Sequence, residues 1–276
     1  MRLSLRTRTA SPLAVITLCL AALLVPAPAH AAWTGSKLCT HTNPEIKETS
    51  GLSRSTYKRK VLFLHNDSGD KARFFAVSRD CETKAVITIN GVKALDWEDM
   101  APGPDHTLWF GDIGDNGEKR ASISVVRVTE PKELSTRSIN GTSFELVYPD
   151  GAHNAEAMMI RPKSGRLYII TKNRVSGTIY RAPLVLDANR PNVMTKLVEG
   201  VPNGLSGAEF ARQDGRFVLR GYKSVFIYSE MGGEPTRVPV PSDHTFGEAV
   251  TWSRSGGALF LGAEGVGTAI WKLKES

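Results

Sequence analysis

The chain has 276 residues, with 35 Lys and Arg against 28 Asp and Glu, a formal charge of +7. Three of those seven excess charges are arginines at positions 2, 6 and 8, and the remainder is spread along the chain and not clustered, which argues against nucleic acid as a partner. Hydrophobic residues make up 41%, enough for a packed core, yet no apolar run is long enough for a transmembrane span.

The basic start is followed by an almost wholly apolar stretch over 13–25 and by Ala29-His30-Ala31, a small-x-small cleavage pattern. Residues 1–31 therefore read as a secretory signal, the mature chain begins at Ala32, and the expected location is extracellular. Paired arginines are absent, against twin-arginine export, and Leu18 before Cys19 argues against a lipid-anchored start. Two cysteines survive processing, Cys39 and Cys81. In an exported protein they are expected to form one disulfide; the alternative is two buried free thiols.

From residue 48 onward, one unit recurs. Unit one opens at 48–52 with Ser50 in the aligned place and Glu48 two residues earlier, and continues with strands at 61–64, 74–77 and 85–90. The second opens at Glu98 and continues at 108–111, 125–128 and 143–148. The third opens at Glu156, with strands at 167–170, 179–182 and 195–199. A fourth opens at 208–210, aligned on Glu209, with strands at 217–220, 226–229 and 236–240. The fifth opens at Glu248, continues at 259–262 and 270–273, and then runs out of chain. A repeat of about 40 to 60 residues made only of short strands is the signature of a β-propeller, because one four-stranded blade cannot bury both faces alone. The expectation is a single all-β domain over 32–276 with five blades, six being the alternative because the second unit is long. The missing outer strand of the last blade is assigned to residues 36–41, which closes the ring. Cys39 then lies at the seam beside the first blade, whose later part contains Cys81, and a bridge there is expected to contribute about 3 to 4 kcal/mol.

In a propeller the inner strands line the central channel, so Glu98, Glu156, Glu209 and Glu248 are expected to converge at one mouth. Four facing carboxylates repel, and a divalent cation relieves the repulsion; oxygen-only ligands suit Ca²⁺. The alternative is that each Glu accepts backbone N–H bonds and clasps the next blade. Loops after the second strands add Asn66 and Asp67, the dense group Asp112, Asp115 and Asn116, then Lys172 and Arg220. Asp112, Asp115 and Asn116 are candidate metal ligands or plain turn residues. Asn66 and Asp67 are candidate ligand contacts or turn residues, and Lys172 and Arg220 are candidate ligand contacts or else ion-pair partners of the acidic loops. His153, just before Glu156, is a candidate base beside the candidate catalytic carboxylates Glu98 and Glu156, or a surface histidine. No Gly-x-Ser-x-Gly, His-Glu-x-x-His or Cys-x-x-Cys is present, which argues against an α/β-hydrolase, a zincin and a thiol redox protein.

The strings Ser50-Gly51-Leu52, His65-Asn66-Asp67-Ser68-Gly69, Asp96-Trp97-Glu98-Asp99-Met100-Ala101, Gly111-Asp112-Ile113-Gly114-Asp115-Asn116 and Asn154-Ala155-Glu156-Ala157 resemble a group of secreted actinobacterial β-propeller proteins of uncharacterised function. More distantly the chain is similar to the SdiA-regulated periplasmic propellers and to those named for esterase-like activity of phytase. Within the wider class, gluconolactonase-like lactonases hold a divalent metal in the channel with Glu, Asn and Asp, and Glu98, Glu156 and Asn154 are similar in type. The resemblance implies a propeller over nearly the whole mature chain and is silent on the reaction. Two functions stay open. One is a secreted monomer that binds a divalent cation and a small-molecule, glycan or peptide ligand at the mouth; the other is a metal-dependent hydrolase of an ester, lactone or phosphoester.

Overall fold

The computed structural model describes residues 32–244 and 246–275, so the signal expected over 1–31 lies outside the described residues. The described chain is all-β. It opens with β1 (Trp33–Thr40). Blade one follows as β2 (Thr49–Arg54), β3 (Val61–Asn66), β4 (Arg73–Ser78) and β5 (Thr83–Asn90). Blade two holds β6 (Trp97–Pro102), β7 (Thr107–Asp112) and β8 (Ile123–Thr129), then β9 (Arg137–Asn140) leaves it before β10 (Thr142–Val147) returns as its fourth strand. Blade three is β11 (Ala155–Ile160), β12 (Leu167–Thr171) and β13 (Gly177–Arg181), with β14 (Asn192–Val193) preceding its outer strand β15 (Thr195–Val201). Blade four is β16 (Leu205–Phe210), β17 (Phe217–Gly221), β18 (Ser224–Tyr228) and β19 (Thr236–Pro239). Blade five is β20 (Gly247–Trp252), β21 (Ala258–Ala263), β22 (Ala269–Glu275) and, outermost, β1.

The burial of each strand follows its place in the ring. The inner strands β2, β6, β11, β16 and β20 are buried at every residue, because neighbouring blades cover both faces. Outer strands such as β5 and β10 alternate between covered and solvated positions instead. The core is accordingly divided into five sectors, one between each pair of adjacent blades. Phe63, Phe74, Trp97 and Phe110 join blades one and two, and Leu52, Phe75, Ala249 and Phe260 join blade five back to blade one.

Five blades are present, and the long second unit has another use. Its extra residues form β9, which pairs parallel with β5 and covers the outer edge of blade one; β14 does the same for β10 of blade two. Covering an edge strand removes a template for intermolecular pairing.

Ring closure is double. β1 pairs antiparallel with β22, and Cys39 of β1 is bonded to Cys81 in the β4–β5 turn of blade one, with Cα atoms 5.6 Å apart. Replacing both cysteines by Ser should lower unfolding free energy by about 4 kcal/mol, the loop-entropy value for a closed loop of this length. Urea unfolding of the double variant against the oxidised wild type checks this; an unchanged midpoint would mean that the β1–β22 ladder alone closes the ring.

Candidate functional site

Each inner strand begins with an irregularity, a register shift against its neighbour between Thr49 and Gly51, Trp97 and Asp99, Ala155 and Ala157, Leu205 and Gly207, and Gly247 and Val250. A bulge re-aims the side chain it carries, here the second residue of each strand. Those residues are Ser50, Glu98, Glu156, Ser206 and Glu248. The two serines clasp the ring: Ser50 donates to the Glu98 carbonyl, and Ser206 to the carbonyls of Glu248 (3.1 Å) and Gly247 (3.3 Å). The three glutamates line a cavity of about 1050 Å³ at the mouth.

A second tier comes from the first residue after each second strand. After β3, β12, β17 and β21 these are Asp67, Lys172, Tyr222 and Glu264, and all four line the same cavity. Lys172 is committed to the wall: it donates to the Glu156 carboxylate and lies 2.7 Å from the Tyr222 hydroxyl. Burial works against its ammonium, but these partners outweigh it and hold the group above the ordinary lysine range. Val240, Pro241 and the 70% exposed Phe246 add apolar surface to the same lining.

Acid dominates. Burial, then Glu156, Asp67 and Asp96, push Glu98 up to about 10, against the opposing charge of Lys172. Glu248 is pushed up to about 8 by burial and Glu156, and Asp67 to about 6 by burial. Glu264, Asp96 and Glu156 are raised as well, each by burial first, although Lys172 opposes the shift at Glu156.

The tightest group is Asp67, Asp96 and Glu98, with one carboxylate oxygen from each within 4.8 Å of the others. Two oxygens on opposite sides of a calcium ion, each about 2.4 Å from it, stand about 4.8 Å apart, so the trio matches the reach of such an ion. The backbone beneath leaves room for two of these carboxylates. Gly114 donates to the Asp96 carbonyl (3.2 Å), and a Cβ at this position would collide with the carboxylates of both Asp96 and Glu98. The nearby guanidinium of Arg120 is held by Asp112 Oδ1 (3.0 Å) and the Gly114 carbonyl (2.8 Å).

The mouth thus collects Glu98, Glu156, Glu248, Asp67, Lys172 and Asn116 from the sequence reading. The other candidates are elsewhere. Glu209 is the fifth residue of β16, not its second; its Oε2 accepts the Trp252 N–H (3.0 Å) and its Oε1 lies 3.7 Å from Arg54 Nη2, well down the channel. Arg220 is fully buried behind the wall, its Nη1 donating to the Gly221 carbonyl (2.6 Å). Asp112 accepts the N–H groups of Leu95 and Asp96, and Asp115 that of Arg120, so both acids shape the loop. Asn66 bridges backbone: Oδ1 accepts from Lys47 (2.9 Å) and Nδ2 donates to the Glu45 carbonyl (2.8 Å). His153 lies on the flank of blade three, 3.0 Å from Asp150 Oδ1 and from the Tyr180 hydroxyl. Asn154 positions the loop by accepting the Asp115 N–H (2.8 Å) and donating to Asn116 Oδ1 (3.2 Å).

Sequence reasoning missed Asp96, Asp99, Tyr222 and Glu264. Tyr222 and Glu264 carry a periodic signal, since each follows a second strand as Asp67 and Lys172 do. Asp99 lies fully buried at the third position of β6, where the other inner strands carry Gly51, Ala157, Gly207 and Ala249. Its Oδ2 accepts N–H groups from Met158 and Ala208, both at 2.9 Å, and Oδ1 accepts from Met100 at 2.8 Å. One carboxyl group thereby ties the inner strands of blades two, three and four beneath the mouth.

No protein-family model matches the sequence, and no curated protein matches it. Among solved structures the chain is similar to an aldose sugar dehydrogenase from Streptomyces coelicolor in its PQQ-bound form, at 12% identity and a TM-score of 0.50, over 90% of this chain and 99% of that one. It is also similar to a gluconolactonase from Xanthomonas campestris, at 16% identity and a TM-score of 0.49, over 83% and 72% of the two chains. At such identities the likeness is one of fold, and in fold this chain is a five-bladed β-propeller.

Proposed function

We propose that this is an exported propeller whose mouth binds a divalent cation, calcium by donor chemistry, together with a small polar ligand. The observation that carries the reading is the trio Asp67, Asp96 and Glu98, three oxygen donors gathered within 4.8 Å in a half-buried site. The donor set is hard and all-oxygen, with neither thiolate nor imidazole in the trio, which favours calcium over zinc or copper. A cavity of about 1050 Å³ lined by both acidic and apolar side chains suits a small molecule, or the end of a glycan or peptide, that carries hydroxyl or amine groups. Export is supported by the amino-terminal pattern and is consistent with the Cys39–Cys81 bridge.

Calorimetric titration of resin-stripped protein with CaCl₂ tests this directly. Wild type should bind one ion per chain, Glu98→Gln should weaken binding at least ~10-fold, about 1.4 kcal/mol, and Glu209→Gln should leave it unchanged. Absence of binding for Ca²⁺, Mg²⁺ and Mn²⁺ alike would remove the reading. Hydrolysis of an ester, lactone or phosphoester is favoured by one observation, the Glu248 carboxyl at about 8, within the range useful to a general base near neutral pH. Turnover on a panel of such substrates, lost in Glu248→Gln while cation binding persists, distinguishes catalysis from binding alone.

A further inference from the structure

The far end of the channel has the opposite character. Inner strands run from the acidic mouth towards it, and at about 3.3 Å per residue Arg54 lies ~13 Å below the level of Ser50. Four of the five inner strands deliver an arginine there: Arg54 ends β2, Arg161 follows β11, and Arg212 and Arg254 stand two residues beyond β16 and β20.

The acids of this end do not neutralise them. Glu130 is consumed by Ser55 and Thr56, accepting the Ser55 hydroxyl and the Thr56 N–H (2.8 Å). Glu209 touches Arg54 only at 3.7 Å and is itself raised to about 7 by burial. Arg54 is the unusual member. Its side chain is 6% exposed, and its Nε and Nη1 are buried without any hydrogen-bond partner among the described residues. A buried guanidinium leaves N–H groups unmade at a cost unless something supplies acceptors. Beside it opens a recess of about 10 Å³, lined by Arg54, Thr56, Phe210 and Arg212, room for one water-sized atom. Arg254 is tied to this end by donating from Nη2 to the Thr56 carbonyl (2.6 Å) and the Ser55 carbonyl (3.3 Å), and its guanidinium is lowered by burial and then by Arg54, Arg59 and Arg212, with Glu130 opposing.

We infer that this end of the propeller is an oxyanion site, in which Arg54 and Arg212 take a phosphate-class group with one oxygen seated in the recess. Arginine suits the task because its fork of N–H donors matches two oxygens of a phosphate. Several converging positive charges favour a multiply charged group over a lone carboxylate. The site is independent of the cation-binding mouth.

Thermal unfolding of resin-stripped protein in chloride, inorganic phosphate and pyrophosphate at equal ionic strength provides the test; the cations are removed on resin because residual EDTA would itself compete as a polyanion. Phosphate or pyrophosphate should raise Tm by about 3 °C or more over chloride. The rise should vanish in Arg212→Gln, whose side chain is exposed and outside the core, and shrink in Arg54→Lys, which keeps the charge without the fork. Glu98→Gln should respond like wild type. A parallel arm with phosphatidylglycerol and phosphatidylcholine vesicles separates the sources: Arg212-dependent sedimentation with the former identifies a lipid headgroup, whereas stabilisation by soluble phosphate without sedimentation identifies a free ligand. An equal Tm in phosphate and chloride, or an undiminished rise in Arg212→Gln, overturns the inference.

Discussion

Stripped of divalent cations, the protein should lose stability as pH rises from 5 to 9, and saturating Ca²⁺ should abolish much of that loss. The sign follows from linkage. Glu98 has its folded pKa raised from 4.5 to about 10, so between those values the native state holds a proton that the unfolded chain has released. The associated stability is complete below the unfolded pKa and is lost as pH climbs towards the folded one. Each retained proton gives a slope of about 1.4 kcal/mol per pH unit, or ~2–4 °C in Tm for a domain of this size. Glu248, raised to about 8, adds to the slope up to that pH. A cation at the trio replaces the proton as counter-charge, so the Ca²⁺-bound protein should be nearly flat in the part due to Glu98. Glu98→Gln should flatten the same part without calcium and be more stable than stripped wild type at pH 9. The residual slope that calcium does not relieve belongs to Glu248, Glu209 and Asp99, whose carboxyls are raised by burial outside the trio. Differential scanning calorimetry across the range decides the matter, and a stripped protein with constant Tm from pH 5 to 9 would contradict it.

Asp99→Ala should come close to unfolding the domain. The substitution orphans the buried N–H groups of Met158 and Ala208, which lie in different blades, together with that of Met100. An unsatisfied buried donor costs about 1–3 kcal/mol, so the loss is expected to reach ~4 kcal/mol or more, a large part of the usual 5–15 kcal/mol stability. Asp99→Asn keeps an acceptor oxygen where Oδ2 stands and should cost much less, about 1–2 kcal/mol. Urea midpoints of the two variants test the difference. Equal, small losses would show that the inner strands hold together without this group.

The blade pattern was legible because strands buried on both faces leave unbroken apolar triplets, and the same triplet recurs five times. The opposite holds for β9: four residues paired in parallel with a strand fifty positions earlier carry no local signal, and so the second unit looked long enough for a sixth blade. Register at the mouth was the harder problem. Ala208-Glu209 copies Ala155-Glu156 in type, yet the six-residue run of β16 begins at Leu205, which gives its second place to Ser206. A slip of a few residues along a strand changes both the face and the depth of a side chain. The adjacent acids Glu98 and Asp99 were ambiguous for a related reason. Simple alternation sends the two to opposite faces, whereas the bulge accompanies a Glu98 that lines the mouth and an Asp99 that reaches the N–H groups of Met158 and Ala208.

The single carboxyl of Asp99 also couples the mouth across blades. Asp99 follows Glu98 in sequence, and its partners Met158 and Ala208 stand two residues beyond Glu156 and Ser206. A shift of any one of these three strands therefore strains a carboxyl that the other two share, so the glutamates of blades two and three keep their spacing only while that shared contact holds.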